Sequence, residues 1–155
     1  MQQINLDLGT KEVSFNGKFS VFFNPDDVNF LQRILSTYSA MLKIHEEDRS
    51  KGEAAVDAVQ ATEEVDLSKV DALLEVIDAH DAKLRAELDK LLGEGFCEAV
   101  FGDVSISARS GGEPLWVKVL TALTDQMNEN VLRENAEQAK LIKKYTAKYR
   151  KKGRR

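Results

Sequence analysis

Two histidines, one cysteine and a scatter of carboxylates are the side chains in this 155-residue chain best suited to acid–base, nucleophilic or metal chemistry. His80 precedes Asp81, and an aspartate that orients an imidazole is the raw material of a general base. His45 falls on the apolar seam of one candidate helix, and Asp81 interrupts the seam of the next. In an antiparallel pair of such helices His45 lies near the connection and is expected to face the start of the second helix, not its middle. Asp81 then reads as a register-setting polar residue or a solvated edge. Cys97 has Phe96, Ala99, Val100 and Phe101 around it, which suits a small buried hydrophobe better than a reactive thiolate. No CxxC, HExxH or phosphate-loop spacing occurs, so Gly93, Gly95 and Gly102 read as helix stops. Glu46-Glu47 and Glu63-Glu64 solvate helix faces, and Asp103-x-Ser105-x-Ser107 lacks the further acidic ligands of a calcium loop. The expectation is a protein without enzymatic activity, cofactor or metal.

Charge is where the chain departs from an ordinary domain. All 26 acidic residues precede position 138, alongside 13 of the 22 basic ones, so residues 1–139 carry a formal −13 and residues 140–155 carry +9. A division of this kind points to an interaction segment, and the acidic body opposes a polyanion as the main ligand. No run approaches the roughly 20 apolar residues of a membrane span. The start, MQQINLDLGTKEV, lacks the basic and apolar stretches of a signal peptide. One cysteine rules out an internal disulfide framework. A cytosolic protein is expected.

The elements that must hold these residues follow from periodicity. The first 23 residues alternate in a strand-like way, and Asn16-Gly17 supplies the two positive-φ positions of a tight hairpin turn, so a β-hairpin is expected over about 11–23. In Phe23-Asn24-Pro25-Asp26-Asp27, Asn24 is placed to cap a helix and Pro25 to open it. Val28, Leu31, Leu35, Tyr38, Leu42 and His45 then recur at helical spacing, with an end expected between Glu47 and Gly52. Residues 53–63 read either as a frayed helix end or as a connection. From a cap at Asp66 a second seam runs through Leu67, Val70, Leu74, Ile77, Asp81, Leu84, Leu88 and Leu91 to a stop at Gly93. Phe96 to Phe101 form a short buried helix, Val104 and Ile106 an extended piece, and Ser110-Gly111-Gly112 a loop. A last helix from Pro114 carries Leu115, Trp116, Val119, Leu120, Leu123, Met127 and Val131, then leaves the core through polar sequence. The expected fold is mainly α: an antiparallel helical hairpin plus a long C-terminal helix, with an N-terminal β-hairpin packed on the bundle. Residues 1–139 make a single acidic helical domain, and 140–155 a basic arm, helical or disordered.

In that arm Leu141, Ile142, Tyr145 and Tyr149 lie at helical spacing among the cations. Four readings compete: a solubilising end, a nucleic-acid arm with tyrosines for stacking, a membrane-surface helix with a thin apolar face, and a docking peptide for an acidic partner. The docking reading names Leu141, Ile142, Lys143, Lys144, Tyr145, Lys148, Tyr149 and Arg150 as partner-binding residues. A second copy of this acidic chain is among the partners it allows.

Three strings taken together, FNPDDVNF at 23–30, GFCEAVFGD at 95–103 and KYTAKYRKK at 144–152, resemble the tail assembly chaperones of long-tailed bacteriophages and prophages of Gram-positive bacteria. The resemblance implies a non-catalytic role in the cytoplasm of the bacterial host. Such proteins coat the tape-measure protein, help recruit tail-tube subunits around it, and leave before the tail is complete. A permanent tail-completion or connector protein is the alternative, and a nucleic-acid-binding regulator using the basic arm a further one.

Overall fold

Asn16 and Gly17 both take positive φ, 56° and 67°, as a turn built on that dipeptide requires. In the computed structural model, which describes residues 1–134 together with Lys140 and Lys144, strand β1 (Lys11–Phe15) pairs antiparallel with β2 (Phe19–Phe23), Val13 opposite Val21 and Phe15 opposite Phe19. The connection spans three residues, Asn16 to Lys18, one more than the shortest hairpin turn, and the Lys18 amide closes it onto Phe15 O at 3.0 Å. This register puts Phe15 and Phe19 on one face, where both rings meet Phe96 edge-on at 5.1 and 5.4 Å. Ile4, Leu6 and Leu8 share the alternation of the strands but join none; they lie exposed in the first ten residues.

Helix α1 (Val28–Gln60) starts three residues later than Asn24 and Pro25 suggest. Asn24 instead builds a turn ahead of it: its Oδ1 accepts from Asp26 N at 2.8 Å and its carbonyl from Asp27 N at 2.9 Å. Asp27 is the cap, accepting from Asn29 N at 2.9 Å. The helix runs through Gly52 and the alanine-rich stretch to Gln60, well past the expected end. Glycine weakens a helix interior by about 0.5–1 kcal/mol relative to alanine but does not end one unless it adopts a left-handed backbone, and the alanines beyond it are the strongest helix formers.

Helix α2 (Leu67–Leu92) is capped by Asp66, which accepts from Ser68 N at 3.0 Å, and stopped by Gly93 at φ 130°. It packs along α1 after a short turn, but the expected seam holds only in its second half: Leu67, Leu74 and Ile77 are exposed, and Val70, Leu73, Val76 and His80 are the partly covered positions before Leu84 and Leu88. Helix α3 (Phe96–Phe101) follows, with a glycine at its own cap position; Asp89 of α2 supplies the missing acceptor, taking the Cys97 amide at 2.9 Å. The segment after Gly102 is a chain of turns, not an extended piece. A second small hairpin, β3 (Arg109–Ser110) with β4 (Glu113–Pro114), closes on Gly111 and Gly112, both at positive φ, where a plain loop was expected.

Helix α4 (Leu115–Gln126) contributes Trp116, Leu120 and Leu123 to a core shared with Leu31, Ile34, Met41, Leu84, Leu88 and Phe96. The ring of Trp116 sits 5.9 Å from that of Tyr38. The expected long final helix is interrupted. At Met127 the chain turns extended (ψ 144°), and α5 (Glu129–Glu134) restarts after Asn128. Asn128 ties this break to the start of α1: its amide donates to Pro25 O at 3.0 Å and its Nδ2 to Asp26 Oδ1 at 2.7 Å. Met127 and Val131 stay buried across the break, so both keep the places in the core stripe that their spacing implied.

Candidate functional site: an acidic helical arm and its polar junction

The core covers only one half of the α1–α2 pair. No residue from Arg49 to Lys83 is buried, so the far halves of the two helices project beyond α3, α4 and the hairpin as a two-helix arm. Polar side chains mark the place where arm and body meet.

Asp48, the last buried residue of α1, is 8% exposed; its Oδ2 lies 2.9 Å from His80 Nδ1 and its Oδ1 accepts from Lys83 Nζ at 3.0 Å. These hydrogen bonds, the histidine's first and then the lysine's, hold the Asp48 carboxyl below the usual carboxylate range against the opposing effect of burial. The rings of His45 and His80 lie 5.8 Å apart. Burial, and next the neighbouring His80, lower the pKa of His45 from its ordinary 6.5. The expectation that His45 faces the start of α2 is therefore corrected. Because α1 continues to Gln60, the turn lies farther along the chain, and positions 45 and 80 are about equally distant from it.

Asp81 is not a solvated edge, and its partners lie in α2 and in the turns after α3, not across a seam with α1. It accepts from Ile106 N at 2.9 Å, Ser105 Oγ at 3.3 Å and Arg85 Nε at 2.7 Å, while Arg85 Nη2 donates to Gly102 O and Val104 O. One carboxylate and one guanidinium thus pin the turns after α3 onto α2. A cleft of about 240 Å³ opens here, lined among others by His45, Asp48, Arg49, His80, Ser105 and Ser107. Among the described residues no group of three or more His, Cys, Asp or Glu is placed to hold a metal ion. Chemically the junction is a cross-brace, with charges neutralised across the two helices. Cys97 lies inside the body, its thiol pushed up to about 12 by burial and next by Asp89, in keeping with a small buried hydrophobe.

The arm itself exposes apolar and acidic side chains together. Leu67, Leu74 and Ile77 are 72%, 50% and 49% exposed. At 3.6 residues per turn they share one face of α2, with Asp71, Glu75 and Asp78 along its edge. Residues 53–78 hold eight carboxylates and one lysine, a formal −7. Asp71, Glu75 and Asp78 make no ion pair among the described residues. Of the residues expected to bind partners, Lys144 is helical and exposed. Leu141, Ile142, Lys143, Tyr145, Lys148, Tyr149 and Arg150 lie outside the described residues.

No family model, curated protein or solved structure matches the chain. Spacing already hinted at one part of the junction: Asp81 and Arg85 stand at i,i+4. Asp48, Lys83 and Asp89 carried no such signal, because their partners come from another helix or from the far side of a turn.

Proposed function

We propose that this protein is a non-catalytic assembly chaperone for the tails of long-tailed bacteriophages, working in the cytoplasm of the bacterial host. It binds the tape-measure protein, helps recruit tail-tube subunits, and acts as a helical bundle with a projecting arm. The observation that carries the reading is the exposed apolar stripe of Leu67, Leu74 and Ile77 on a helical arm with no buried residue. A long helical client presents apolar stripes of its own, and helix-on-helix packing covers both. The three sequence strings that resemble tail chaperones supply the identity of the client. The acidic charge keeps many copies soluble while they crowd along it. Among the described residues no helix is long and apolar enough to cross a membrane, and the reading assigns the client surface to the arm and to the sequence anchors Leu141, Ile142, Tyr145 and Tyr149.

Co-expression with the tape-measure protein tests the reading. Soluble tape-measure protein is expected to rise with the intact chain and to rise less with a chain truncated after Glu137. Equal solubility with and without the intact chain overturns it. Purified particles are expected to lack the protein; its presence there favours a permanent tail component instead.

A further inference from the structure

The residues ahead of β1 keep the period-two alternation of a strand, yet Ile4, Leu6 and Leu8 stand 83%, 77% and 72% exposed. Beside them β2 has an open edge. Among the described residues β2 pairs with β1 alone, and all five of its residues, Phe19 to Phe23, line one groove of about 450 Å³. Successive side chains of a strand point to opposite faces, so a groove bordered by both sets runs along the strand's edge. Phe30 of α1 and Leu91 and Leu92 at the end of α2 form its other wall. Val21, Phe23, Phe30 and Leu92 belong to the buried core, which makes the floor of the groove apolar.

The segment that matches this groove is already seated at one end of it. Leu8 and Thr10 line the same groove, and Leu8 O accepts from Asn24 Nδ2 at 2.8 Å, just past the end of β2. Gly9, at φ 69°, makes the turn from there into β1, with Asp7 Oδ1 accepting its amide at 2.9 Å. A Cβ at Gly9 would lie 2.8 Å from Asn24 Nδ2, so bare backbone is what lets the chain cross the end of β2 against Asn24. From Leu8 no further crossing is needed. Laid back along the edge, the segment runs parallel to β2, with Leu6 level with Val21 and Ile4 level with Phe19. Three apolar side chains at period two then meet the three inward-facing residues of β2, Phe19, Val21 and Phe23, and Gln3, Asn5 and Asp7 face water. A segment tethered at the mouth of the groove has a far higher local concentration there than any separate chain.

We propose that residues 3–8 are a strap that closes on this groove of their own chain, as a third strand parallel to β2 on the edge opposite β1. The structure holds the strap open, hinged at Gly9. Burial of three large apolar side chains and the entropy of fixing six residues are opposing terms of similar size. That balance suits a strap that opens and closes better than a fixed strand. Closed, it pairs the N–H and C=O groups of the β2 edge that an extended segment of another chain would otherwise take. Open, it leaves β2 available to such a segment. This goes beyond the chaperone reading and does not depend on it, since no client takes part.

The test uses the purified full-length chain and two readouts. Amides of residues 4–8 are expected to exchange at least about tenfold more slowly than in an unstructured peptide of the same sequence. Leu6→Asp is expected to abolish that protection and to leave exchange in α4 unchanged, since Leu6 touches no core residue while the strap is open. The second readout is oxidation of paired cysteines. Asn5→Cys with Ser20→Cys places the two thiols level on the outward face of neighbouring strands and is expected to give a disulfide within one chain. Asn5→Cys with Ser14→Cys is the control, because Ser14 lies opposite Ser20 on β1, one strand farther away. It is expected to oxidise at least about tenfold more slowly, two strand spacings exceeding the reach of a disulfide. Cys97 is buried and does not compete. Unprotected amides at residues 4–8 overturn the proposal, as does protection that survives Leu6→Asp. Equal oxidation of the two pairs, or disulfides that join separate chains instead of closing within one, overturns it as well.

Discussion

Asp48 is a carboxylate with almost no water around it, and both groups that compensate it come from the neighbouring helix. Replacing it with asparagine keeps the shape and loses the charge, so Asp48→Asn is expected to cost roughly 1–3 kcal/mol, read as a lower thermal midpoint. Two pH windows follow. His45 has a folded pKa below its ordinary 6.5, so the unfolded chain binds its proton more readily. The associated stability is complete above pH 6.5 and declines as pH falls from there toward the folded value. His80, Glu46, Arg49 and Arg109 act on it electrostatically. The Asp48 contribution is complete above its ordinary 3.8 and is lost as pH falls below that, through the folded value. Thermal midpoints measured against pH are expected to show both declines, with His45→Gln removing the upper one and Asp48→Asn reducing the lower one. The sequence singled out both histidines and Asp81 but not Asp48. Pairing across two helices depends on where their connection lies, and no local signal reports that.

Gly52 marks the element whose length was hardest to read. A glycine after a charged stretch looks like a helix end, yet its backbone here is helical and a Cβ at that position meets nothing within 4 Å. Gly52→Ala is therefore expected to stabilise α1 by about 0.5–1 kcal/mol, seen as slower hydrogen exchange in the arm. Gly93 is the opposite case. Its φ of 130° is a glycine conformation, and a Cβ there lies 3.2 Å from Phe19 Cζ, so Gly93→Ala is expected to destabilise by more than about 1 kcal/mol. The periodicity of apolar residues located β1, β2, α2, α3 and the start of α4 with little error. It missed the second hairpin, where Gly111-Gly112 was read only as a loop. It also missed the break at Met127, because Met127 and Val131 keep their apolar spacing across it. The break is set by Asn128 bonding to Pro25 and Asp26, a contact between residues 102 positions apart in the case of the side-chain bond.

Across the whole molecule, stability is unevenly distributed. The body shares one core, whereas the arm relies on a half-covered seam and on the cross-brace at its base. Amides in residues 53–78 are expected to exchange faster than those of α4 by on the order of 100-fold, through opening of the arm alone. Equal rates in the two regions count against an arm that opens by itself. The charge division between residues 1–139 and 140–155 was plain in the sequence; the acidic projection was not, because it exists only once α1 is known to outrun the core. Trp116 gives this arrangement an optical consequence. It is the sole tryptophan, only 2% exposed and seated against Tyr38 in the body. Its fluorescence is therefore blind to the arm, whereas the far-ultraviolet dichroism of the chain counts every helical turn in it. Two melting curves from one sample become a ruler for autonomy: the gap between them measures how far the arm unwinds while the rest of the protein remains folded.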